Sequence, residues 1–188
     1  MTEDIHRIQE RAILTGLICT QYSYFDYLIS NIIWNALGVE KEVGMIVTGG
    51  IDIRPKIEMS ILLLDHFDNN SKIRDLLQQF KNNASKPNGF ISKRNIIVHG
   101  IYSSRERDPK VMVEAHRKIA HRVRREITIE YIKECHDSIV QANKDLVELM
   151  EAKNINTHWI WRSQLITCST GLAEAHRWAY SETIYSSK

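Results

Sequence analysis

"TIEYIKECHDSIVQANKDLVELMEAK", Thr128 to Lys153, is the stretch from which the fold can be read. Ile129, Ile132, Ile139, Ala142, Leu146 and Leu149 recur at intervals of three, four and seven, so they share one face of an α-helix. Thr128 stands directly before that stripe, where a hydroxyl can accept a backbone N–H of the first turn. A helix of this length with one apolar face must bury it against other elements.

The preceding sequence supplies the partners. From Thr2 to about Leu37, Ile5, Ile8, Leu14, Leu17, Ile18, Phe25, Leu28, Ile29, Ile32, Ile33 and Ala36 form a second wide stripe. It reads as one long helix or two meeting near Thr20, with Gly38 as the stop. "GVEKEVGMIVTGGID" reads as a connection. Pro55 suits a first helical turn, and Ile57, Ile61, Leu64 and Phe67 then point inward. Ser71 can cap a further helix with Ile73, Leu76, Leu77 and Phe80 on its stripe. "SKPNG" is a turn, and "FISKRNIIVH" a short helix ended by Gly100. Beyond it, "VMVEAH" alternates as a strand would, while Ala115, Ile119, Val123 and Ile127 fit a helical stripe, so residues 101–127 read as a small hairpin or an extra helix. The expectation is an all-α bundle over residues 1–153. Residues 154–188, with Trp159, Trp161, Trp178, Tyr180 and Tyr185, form an aromatic-rich helical extension that packs on the bundle or in a dimer contact.

Composition excludes several classes. The chain has 188 residues, 43% of them hydrophobic, with only eight Gly and three Pro, which describes a compact, helix-rich protein. The net charge of +2 is too small to indicate a partner, so any nucleic-acid signal must be local. Cys19, Cys135 and Cys168 are scattered and unpaired in spacing, which favours a reducing compartment. "MTEDIHRIQE" is unlike a signal peptide, and no apolar run is long enough to span a bilayer. The expected location is cytoplasmic, without membrane contact. No phosphate-cradling glycine loop, HExxH, EF-hand or GxSxG pattern occurs, and the eight histidines form no metal pair at helical spacing. No metal and no cofactor are expected.

"KRNIIVHG", Lys93 to Gly100, is where chemistry enters. Asn95 and His99, four apart, lie on one helix face. Arg94 and His99 differ by about 140° and about 7.5 Å along the axis, within reach of a long arginine curling round. Gly100 leaves His99 at the helix C-terminus, where the macrodipole favours an imidazolium. Arginine and histidine around one phosphate suffice for RNA cleavage without a metal. The histidine takes the proton of a ribose 2′-OH or gives one to the departing 5′-oxygen, and the guanidinium stabilises the charge on phosphorus. Asn95 would orient the ribose or the ring. RNA supplies its own nucleophile.

Arg-Asn, three apolar residues and His-Gly resemble the R-x4-6-H motif of HEPN domains. A long first helix before the motif, a variable segment after it and the Thr-capped "REITIEYIKE" extend the resemblance over about residues 5–153. The resemblance implies an up-and-down helical bundle, a homodimer with the motif helices lining a cleft, and a metal-independent endoribonuclease of toxin–antitoxin or antiviral systems. A cognate antitoxin then becomes an expected partner. Other members of the family have lost catalysis and serve as binding or dimerisation modules. Arg94, Asn95 and His99 are the candidate catalytic residues.

A second feature is "HRKIAHRVRRE", His116 to Glu126, in which Arg117, Lys118, Arg122, Arg124 and Arg125 place five positive charges in nine residues. A polyanion contact or a solvated basic face accounts for it equally. Tyr102, just past the motif, can stack on a base or pack on the bundle. The reading leans to an endoribonuclease on single-stranded RNA, with a catalytically silent dimer that binds nucleic acid or protein as the alternative.

Overall fold

The computed structural model describes residues 2–67, 72–84, 86–105, 108–116, 122–155 and 157, with residues 2–5 and 101–125 described by their backbone. In chain order the elements are α1 (Thr2–Leu37), α2 (Lys41–Thr48), α3 (Ile53–Phe67), α4 (Lys72–Ala84), α5 (Phe90–His99), strands β1 (Ile101–Arg105), β2 (Asp108–His116) and β3 (Arg122–Glu126), and α6 (Ile129–Ala152). The fold is the expected helical bundle. Apart from Ile127 and Ile155, every described core residue comes from a helix.

The stripe of α6 starts where expected, because Thr128 Oγ1 accepts the Tyr131 N–H at 3.1 Å. Ile132, Cys135, Ile139, Ala142, Leu146 and Met150 are its buried side, while Ile129 and Leu149 lie at the edge of the core. That face packs on α1, whose Leu14, Ile18, Phe25, Leu28, Ile29 and Ile32 are fully buried. α3 packs on α1 and α4, and α5 fills the remaining space against α6, α4 and α1. Phe25 is the common centre, with its ring edge-on to both Phe80 (5.4 Å) and Phe90 (5.3 Å).

Several expectations need correction. α1 is not among them: it is the one-helix alternative, unbroken through Thr20, whose hydroxyl donates back to the Gly16 carbonyl at 3.1 Å. Ile8 and Phe67, placed on inward stripes, are 65% and 61% exposed and so stand off the core. The supposed connection after Gly38 contains α2. Gly38 takes a positive φ of 65° and ends α1, and the chain then turns α2 back against it. Trp34 lies over Gly44 and its indole N–H donates to Thr48 Oγ1 at 3.1 Å.

The segment after the motif is the hairpin alternative, not the extra helix. β1–β2–β3 form an antiparallel sheet, with Tyr102 opposite Val113 and Arg124 opposite Glu114, and its middle strand lies beside α5. The first compact unit runs from Met1 to Ile155, so Ile155, assigned to the extension, belongs to the bundle core. The Ser71 cap and the aromatic tail from Trp159 on lie outside the described residues. Among the described residues no helix is long and apolar enough to cross a membrane.

Candidate active-site cleft

α5 has two jobs, and its sequence divides accordingly. Phe90, Ile91 and Ile97 are buried and fix the helix in the bundle. Lys93 is buried too, with its ammonium paired to Glu134 Oε1 at 2.8 Å and lying 5.1 Å from the Tyr131 ring centre. With one side of the helix anchored in this way, Arg94, Asn95 and His99 are left on the other side. They open into a cleft of about 630 Å³, lined also by Tyr22 and Asp26 of α1 and by Ile51 to Pro55 at the start of α3.

The three motif residues touch one another. Arg94 Nη1 donates to His99 Nε2 at 2.9 Å and to Asn95 Oδ1 at 3.0 Å. Arginine has donors only, so His99 Nε2 is the acceptor and the ring carries its proton on Nδ1. α5 ends as expected, with the Gly100 N–H bonded to the Ile96 carbonyl at 3.0 Å and the chain continuing extended into β1.

Tyr22 supplies the floor. Its ring lies beneath the Arg94 guanidinium, 4.5 Å from ring centre to Cζ, which is a cation–π stack. Burial pushes the Tyr22 phenol up to about 12. Arg94 acts against that rise and Asp26 with it. The phenol is thus a neutral donor, and the guanidinium is held flat by an apolar plane. Asp26 is held in turn by the buried Lys56, Nζ to Oδ2 at 2.6 Å. Arg54 stands on the α3 side of the cleft, with Nη2 donating to the Ala84 carbonyl at 2.7 Å.

The sequence named Arg94, Asn95 and His99, and the fold brings all three together. It missed Tyr22, Asp26 and Arg54, which come from α1 and α3 and carry no spacing relation to the motif. Of the proposed RNA contacts, Tyr102 lies in β1, and Arg122, Arg124 and Arg125 lie in β3, opposite His116, Glu114 and Val113. Arg117 and Lys118 lie outside the described residues. Among the described residues no three His, Cys, Asp or Glu side chains converge as metal ligands would. No family model matches the chain, and no curated protein or solved structure matches it.

Proposed function

We propose that the protein is a HEPN-type, metal-independent endoribonuclease acting on single-stranded RNA in the α5 cleft. The observation that carries this reading is the 2.9 Å contact between Arg94 and His99 in an open cleft. A base and an anion-binding fork are already within reach of one phosphate. When a phosphate enters, it competes for the Arg94 guanidinium, a charge-assisted and bidentate partner that a neutral imidazole cannot match. Arg94 turning to the phosphate frees the Nε2 lone pair. His99 then takes the 2′-OH proton as the 2′-oxygen attacks phosphorus, and the P–O5′ bond breaks. The 5′-oxygen leaves protonated, from the imidazolium or from solvent, giving a 2′,3′-cyclic phosphate and a 5′-hydroxyl. Arg94 stabilises the charge that builds on the phosphoryl oxygens, and Asn95 steadies the guanidinium through the same Nη1 that meets His99.

The homodimer, a cognate antitoxin and a toxin–antitoxin or antiviral setting belong to this reading through the family resemblance. A second reading has its own observation: the Nε2 lone pair is occupied by Arg94. If no substrate displaces Arg94, the same cleft is a binding site in a catalytically silent module.

Incubation of the purified protein with labelled single-stranded RNA in EDTA tests the reading. Cleavage is expected to persist and to leave 2′,3′-cyclic ends. His99→Ala is expected to lose about 10²–10⁴-fold in rate, the usual contribution of a positioned proton-transfer group. Wild-type protein that binds RNA without cutting it, or a His99→Ala variant that cuts as fast as wild type, would leave the silent module.

A further inference from the structure

We infer that Arg54 is a second phosphate-binding residue of the α5 cleft, so that the site takes two successive phosphates of a strand rather than one. The inference rests on the ribonuclease reading for the identity of the strand, and on the cleft's own geometry for the contact.

Arg54 lies in the first turn of α3, on the same cleft as Arg94 and His99 and 40 positions from the motif in sequence. Arg54 is exposed, but its guanidinium is tied at one point. Nη2 donates at 2.7 Å to the carbonyl of Ala84, the last residue of α4, where helix carbonyls lack partners within their own helix. That bond uses one of five N–H donors. Among the described residues no carboxylate pairs with Arg54, although two stand on the same cleft. Asp26 is already taken by Lys56. Asp52 alone, set against Arg54 and Arg94, leaves the cleft net positive.

A pinned arginine with spare donors differs from an ordinary surface arginine. Its side chain is already ordered, so binding an anion costs it little further freedom. Arg54 lines the same cleft as Arg94, whose guanidinium lies over the Tyr22 ring. With one donor on the Ala84 carbonyl, Arg54 keeps its remaining N–H groups for an anion in the cleft. A strand that continues past the reacting linkage offers it the next phosphate. The substrate class is therefore an oligonucleotide with a charged linkage beside the scissile one, in preference to a mononucleotide or a dinucleotide monophosphate.

The test uses the full chain and a single-stranded DNA oligonucleotide carrying one ribonucleotide. The phosphates flanking the ribo-linkage are replaced singly by neutral methylphosphonates. A 2′-O-methyl version measures binding without cleavage. One neutral replacement is expected to weaken wild-type binding by about 10- to 100-fold, the range for a lost charge-assisted contact. Arg54→Ala is expected to cost a similar factor on the fully charged strand and nearly nothing further on the neutral one. Arg54→Lys recovers part of the loss. Losses that multiply independently, or wild-type binding indifferent to both flanking charges, would overturn the inference, and the second needs no variant at all. Coupling without cleavage of the ribo-linkage sinks the ribonuclease reading and leaves the Arg54 contact standing. Cleavage without coupling does the reverse, and a wild-type protein that does not bind the strand removes both.

Discussion

Tyr22 decides where Arg94 can go, and its own ionisation reports on that role. An arginine over a neutral ring keeps a flat, weakly hydrated guanidinium, and under the ribonuclease reading it turns from His99 to the phosphate over that ring. The phenol must stay protonated for the ring to remain in its apolar site. Its folded pKa of about 12 lies above the ordinary 10, chiefly because burial disfavours the phenolate. Between those values the unfolded chain has released the proton and the folded chain has not, so stability holds below pH 10 and falls as pH rises toward 12. The buried Cys135 thiol, pushed up to about 12 from 9, adds a loss of the same sign that begins lower. Urea midpoints are expected to fall steeply between pH 9 and pH 12. Tyr22→Phe keeps the ring and removes the ionisation, so it should flatten the part above pH 10, a share on the order of 2–3 kcal/mol. A Tyr22→Phe variant that tracks wild type through that window would mean that the phenol is not buried in solution.

Elements with one apolar face were legible in the sequence, and the element without one was not. α6 and most of α1 follow from spacing alone, because burial against each other is what their stripes are for. α2 has no inward stripe: Val43, Met45, Ile46 and Val47 are all exposed, and its buried residues are Gly44 and Thr48. It is held through a contact with Trp34, ten and fourteen positions back, which periodicity does not encode. A β-carbon added at Gly44 would stand 2.4 Å from Trp34 Cγ, so the indole or the helix would have to move. Gly44→Ala, a change that ordinarily favours a helix, is expected instead to destabilise the protein by about 1–3 kcal/mol in urea unfolding. A stabilised variant would show that α2 does not pack on Trp34. The candidate site divides in the same way. Arg94, Asn95 and His99 share one helix and could be found together, whereas Tyr22 and Arg54 join them only through the packing of α1 and α3.

At the scale of the whole molecule, charge decides how a polyanion would be met. A net charge of +2 provides almost no long-range attraction, so affinity for RNA must come from where the cations stand. Among the described residues, two groups of arginines bear on this. Arg94 and Arg54 stand in the cleft, and Arg122, Arg124 and Arg125 follow one another in β3, the outer strand of a sheet whose middle strand lies beside α5. A strand path from the cleft that also meets β3 is one forecast. A solvated basic strand balanced by Glu114 and Glu126 has the same sequence and makes a different forecast. Each phosphate contact with single-stranded nucleic acid contributes about 0.7 to the slope of log affinity against log salt. Arg124→Glu with Arg125→Glu is therefore expected to weaken RNA binding at low salt and to flatten that slope by about 1.4, if each arginine meets one phosphate. The measurement is a titration of labelled single-stranded RNA at four or five salt concentrations, with wild-type and doubly reversed protein side by side. Parallel lines would remove Arg124 and Arg125 from the RNA path.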